Sequence, residues 1–133
     1  MTCGNGRGSS SAVLLIDDEA SVRLPLRLSL EHQGYRVFEA GDGQEGLEMV
    51  ERHGDEIALV VVDHQMPRMS GAEVVRELRQ RPRHLPIILM SGLSSADTGN
   101  GAAMPDAFLR KQFELVELAR TVRHLIGQGD AAA

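Results

Sequence analysis

The chain has 133 residues, 42% of them hydrophobic and 25% charged, with a formal net charge of −5 at neutral pH. That length supports one domain with a real core and excludes two ordinary ones. The acidic balance argues against direct nucleic-acid binding, which needs a basic face, and no stretch approaches the roughly 18 apolar residues of a membrane span.

Residues 1–11 are polar and Gly/Ser-rich, without the apolar core of a signal peptide, and read as a flexible tail. The single cysteine, Cys3, lies there. It has no internal disulfide partner, so a reducing cytoplasm is the expected compartment. The first apolar run, residues 12–16, ends in Asp17-Asp18-Glu19. A helix is expected over residues 20–33, closing at Gly34. Its Pro25 suits only the first turn; deeper in, a proline costs about 3 kcal/mol. Residues 35–40 alternate in polarity and suit a strand at a sheet edge.

Asp42 with Glu45 makes a capping-box signature for a helix ending near Gly54. Residues 57–62 are again nearly continuous in Val, Ile and Leu, and end in Asp63. A Met66-Pro67 turn and Gly71 follow. Ser70 with Glu73 caps the next helix, whose Val74, Val75 and Leu78 share one side. Met66 and Met69 suit gap-filling beneath the loop. A third apolar run, residues 86–90, is followed by Ser91. The three continuous runs look like parallel strands covered on both faces.

Residues 94–105 should hold a fourth helix but contain Gly99, Asn100 and Gly101. Each glycine costs about 1 kcal/mol against alanine, so a short, frayed or disordered element is expected. Residues 107–109 could form the other edge strand, before Lys111, the one lysine beside thirteen arginines. Leu115, Leu118, Ala119, Val122, Leu125 and Ile126 mark a last amphipathic helix, with Gly127 as its stop. One domain over residues 12–127 and a short tail at 128–133 result.

Strands alternating with helices imply right-handed crossovers and an α/β fold: an open, five-stranded parallel sheet with helices on both faces. Ligands of such sheets bind beyond the carboxyl ends of the strands. Asp18, Asp63, Ser91 and Lys111 all belong to that rim. If the run before Asp17 pairs with the run before Asp63, their carboxylates converge, and two charges about 4 Å apart repel by about 4 kcal/mol at an effective dielectric near 20. A hard cation such as Mg2+ relieves this. In such a site Asp63 can attack phosphorus, Asp18 and Asp63 can hold the metal, and Lys111 and Ser91 can bind the remaining phosphoryl oxygens. Taken alone, Asp17 and Asp18 could equally be loop acids capping the first helix. The five histidines show no ligand spacing.

The acidic pair Asp17-Asp18, the Asp63…Met66-Pro67…Gly71 turn, Ser91 and Lys111 together resemble the receiver domain of two-component response regulators, over nearly everything from residue 12 to 126. The resemblance implies a sheet order of 2-1-3-4-5. It implies that Asp63 accepts a phosphoryl group from a phosphohistidine donor, on a histidine kinase or histidine phosphotransfer protein. It further implies Mg2+ held by Asp18, Asp63 and the main-chain carbonyl of Gln65, with Asp17 acting largely through water. Ser91 would move toward the phosphoryl group and Phe108 turn inward behind it. Such a domain turns over no free substrate.

The chain departs from the family at Gln112, where a proline usually follows the lysine, commonly after a cis bond. A cis bond before a non-proline residue costs about 2.5–4 kcal/mol. Phe108 also lacks a hydroxyl, so its two positions would differ in packing alone. A thin fourth helix reduces the family's usual dimer face, which favours a monomer, and resembles receivers attached to hybrid histidine kinases. A pseudo-receiver that binds without phosphorylation is the alternative. An aspartyl phosphatase is disfavoured: Gln65 stands where such enzymes carry a second Asp.

Overall fold

The three runs of Val, Ile and Leu become the three inner strands of one parallel sheet. The computed structural model describes residues 12–82, 84–91, 105–110 and 115–132, with side chains through Ile126. Its strands are β1 (Ala12–Ile16), β2 (Arg36–Ala40), β3 (Ile57–Asp63), β4 (Ile87–Ser91) and β5 (Ala107–Arg110). Among the described residues four helices connect or follow them: α1 (Ala20–His32), α2 (Gly43–His53), α3 (Gly71–Arg79) and α4 (Leu115–Ala132). The sheet order is β2-β1-β3-β4-β5, and every pairing is parallel. The two strands expected at the edges are the two edges.

Side chains alternate across the pleat. Val13, Leu15, Leu59, Val61, Ile88 and Met90 face one layer, where Leu26 and Leu30 of α1 meet Leu118 and Val122 of α4. Leu14, Ile16, Val60, Val62, Ile87 and Leu89 face the other, against Leu47 and Val50 of α2 and Val74, Val75 and Leu78 of α3. Met66 and Met69 pack against this second layer, as gap-fillers should. Burial on both faces is why the inner strands carry no polar alternation.

Several local expectations hold in detail. Ser70 accepts from the Glu73 N–H, and the Glu73 carboxylate accepts from the Ser70 N–H, a complete capping box. Gly34 closes α1 at φ 100°; its N–H donates to the Glu31 carbonyl and that of Tyr35 to Leu30. That is a left-handed helix end, which glycine adopts without strain.

Others differ. Asp42 caps α2 through the Glu45 N–H, but the Glu45 carboxylate reaches Gly41 rather than the Asp42 main chain, so the box is half formed. Pro25 lies in the second turn of α1, not the first. It cannot donate to Ser21, and burial of Leu26 and Leu30 on the same helix offsets that loss. Gly127 does not stop the last helix, which runs to Ala132. A glycine is permitted in the right-handed region at about 1 kcal/mol; it ends a helix only where the chain turns left-handed. The expectations for residues 1–11 and 94–104, and so for Cys3 and the fourth helical position, lie outside the described residues.

At the amino ends of β4 and β5, Asp106 joins three elements. Its carboxylate accepts from Arg79 of α3 at 2.8 Å and from the Ile87 N–H at 2.8 Å, while its own N–H donates to the Ile87 carbonyl. Arg79 also donates to the Leu85 carbonyl. Burial pushes the Asp106 carboxyl up, but the hydrogen bonds from Arg79 and Ile87 outweigh it and hold the group below its ordinary value.

Candidate functional site

Because β1 and β3 are neighbours, with Ile16 opposite Val62, the chain leaves both strands side by side at one rim. Asp17 is the first residue beyond β1, and Asp63 is the last of β3. One carboxylate oxygen from each of Asp17, Asp18 and Asp63 lies within 4.8 Å of the other two. Asp17 and Asp63 are 1% and 2% exposed; Asp18 is exposed and opens the cluster to solvent.

The donor set fits a hard divalent cation. All three groups offer oxygen, and three formal negative charges this close repel one another unless a cation joins them. Asp17 shares its duties: its Oδ1 accepts from the Glu19 N–H at 2.9 Å, just before α1. The capping reading of this acid is therefore partly right. The helix's own N-cap residue, Glu19, makes no side-chain cap.

The loop after Asp63 is held by backbone contacts. The His64 N–H donates to the Met90 carbonyl, and the His64 carbonyl accepts from the Gly71 N–H, both at 2.8 Å. Arg68 takes the left-handed region at φ 71° to turn the loop. Gly71 is required by space: a Cβ there would stand 2.5 Å from the Asp63 carbonyl oxygen and 2.7 Å from the His64 Cα. The Met-Pro…Gly segment thus seats α3 directly against the end of β3.

Ser91 is the last residue of β4, one strand over from Asp63 and 2% exposed. Phe108 sits on β5 opposite Leu89 and packs, half-buried, against the α2/α3 layer. Gln65 lies exposed two residues beyond Asp63. The structure therefore brings Asp17, Asp18 and Asp63 together and puts Ser91 and Phe108 on the next strands outward. Lys111 and Gln112 lie outside the described residues.

One residue beside the site carries no sequence signature. Arg23 of α1 donates to the Asp17 main-chain carbonyl and pairs with Glu39 of β2 at 2.9 Å. Its partner lies 16 residues away, on β2.

Comparison with known proteins agrees with this geometry. The sequence profile of the response regulator receiver domain matches residues 13–123. The sensor kinase CckA of Brucella abortus is 39% identical over 125 residues, which cover 91% of this chain and 13% of that one. The response regulator MprA of Mycobacterium leprae is 40% identical over 116 residues, covering 86% of this chain and 50% of that one. The chain thus spans half the length or less of these curated relatives. Among solved structures, the response regulator TrrA of Thermotoga maritima in complex with Mg2+-BeF superposes with a TM-score of 0.75 at 32% identity, over 86% of this chain and 98% of that one. With the sheet order and the acid cluster already in place, the match is one of sequence and fold alike: the chain belongs to the response regulator receiver domain family.

Proposed function

We propose that this receiver domain accepts a phosphoryl group on Asp63 from a phosphohistidine on a histidine kinase or histidine phosphotransfer protein. The observation that carries the reading is the convergence of Asp17, Asp18 and Asp63 within 4.8 Å at the carboxyl rim. In the reaction an Asp63 carboxylate oxygen forms the new P–O bond. The P–N bond to the donor imidazole breaks, and its electron pair leaves with the ring. Asp18, Asp63 and the Gln65 main-chain carbonyl would hold Mg2+, with Asp17 acting largely through water. Bound there, Mg2+ would supply neutralisation of the charge on the phosphoryl oxygens.

The remaining work falls to the chain. Burial excludes bulk water from Asp63. Lys111 and the Ser91 hydroxyl bind the other phosphoryl oxygens, and Phe108 follows Ser91 inward as the domain switches. The domain phosphorylates and dephosphorylates itself but turns over no free substrate. It acts in the cytoplasm as a monomer, without direct nucleic-acid binding. Among the described residues no helix is long and apolar enough to cross a membrane. The similarity to a part of the sensor kinase CckA and to half of the response regulator MprA is compatible with a setting within a larger protein.

The test is intact mass after incubation with acetyl phosphate and Mg2+. A phosphate adduct is expected on the parent and absent both with chelator and in Asp63→Asn. No adduct at any time would instead support a pseudo-receiver, the reading that Gln112 after Lys111 favours.

A further inference from the structure

The acid cluster depends on where the backbone leaves β1, and that exit is held by more than the sheet. The Asp17 N–H continues the ladder to the Ala40 carbonyl at 3.1 Å. The Asp17 carbonyl takes a hydrogen bond from the Nη1 of Arg23. The Nε of the same guanidinium lies 2.9 Å from Glu39 Oε1, and Arg27 reaches the other carboxylate oxygen at 3.3 Å. Arg23 is thus pinned at one end to the edge strand and at the other to the peptide that joins the two acids. A guanidinium can bridge two acceptors in fixed directions; an ammonium on a flexible stem cannot.

We propose that Arg23 is a positioning residue for the cation. By tying the Asp17 carbonyl to Glu39, it fixes the peptide plane between Asp17 and Asp18, hence where both carboxylates stand, and so sets the affinity for Mg2+. The inference rests on reading the acid cluster as a Mg2+ site. Arg23 is a positive charge beside a cation site, so its field alone opposes binding, and deleting it for its charge would tighten Mg2+. Positioning works in the other direction. Partners that orient metal ligands typically contribute about 10–100-fold in affinity.

The experiment is calorimetric titration of Mg2+ into the metal-free full chain, its R23K and R23A variants, and R27A as a charge control. Urea unfolding of each variant confirms a folded sample. Positioning predicts that R23K and R23A bind Mg2+ about tenfold more weakly, while R27A binds as the parent or more tightly. The Glu19 amide resonance of the metal-free protein should also move in R23K, because that N–H reports the Asp17 carboxylate. Phosphorylation of R23K from acetyl phosphate should return to the parent rate at saturating Mg2+. If R23K matches the parent in Mg2+ affinity, or R23A tightens it, the inference is overturned while the Mg2+ site stands. A parent that takes up no Mg2+ overturns the metal reading itself, and this inference with it. Should R23A fail to fold, R23K and the Glu19 resonance still decide.

Discussion

Gly71 owes its place to steric contact rather than to backbone freedom. A single added carbon would press on the Asp63 carbonyl, the His64 backbone and Leu89. Two of these neighbours are main chain and cannot rotate away. Gly71→Ala is therefore expected to lower stability by about 1–3 kcal/mol in urea unfolding, and to shift Asp63 enough to weaken Mg2+ as well. At Asp18 the balance is reversed. It is the exposed member of the cluster, so its loss leaves no cavity. Asp18→Asn should raise the metal-free stability, because it relieves the repulsion within the acid cluster, but abolish stabilisation by Mg2+. In the parent that stabilisation should reach about 2.7 kcal/mol at a hundredfold excess of Mg2+ over its dissociation constant. Unfolding with and without metal measures both.

At the scale of elements, α1 carries a proline where a good helix former would serve the backbone better. Pro25 is exposed, and its ring costs the second turn a hydrogen bond. Pro25→Ala should raise the unfolding free energy measured in urea by roughly 1–3 kcal/mol. The β4–β5 edge depends on Asp106. Its carboxyl is held below its ordinary value, so its contribution is complete above the unfolded value near 3.9 and is lost as the pH falls through the lower, folded value. Asp106→Asn should thus be less stable than the parent by roughly 1 kcal/mol at pH 7, with the gap closing below about pH 4. These elements differ in how far the sequence reveals them. Buried parallel strands announce themselves as runs of Val, Ile and Leu because neither face can be polar. Asp106, Arg23 and the second leg of the Asp42 cap do not, because their partners are main-chain groups or residues on distant strands. Gly127 misleads for a related reason: glycine permits a helix end without compelling one.

Across the whole molecule, three separated stretches of sequence meet because the parallel order places β1 beside β3 and β4 beyond it. The acids and Ser91 are legible as strand-end polar groups, since each stands where an apolar run stops. Their convergence follows from strand order, which alternating β and α elements restrict to a few choices. The path of the loop from Asp63 to Gly71 was not legible, since it is set by main-chain bonds from His64 to Met90 and Gly71. The central claim is that this rim makes Asp63 a phosphoryl acceptor. Borohydride reduces an aspartyl phosphate to homoserine and leaves free carboxylates intact, so peptide mass mapping after treatment with phosphodonor, Mg2+ and borohydride locates the modified residue. Conversion at position 63 alone, dependent on Mg2+, is the predicted result. Conversion at another acid, or none in a sample that carries a phosphate adduct, would contradict it.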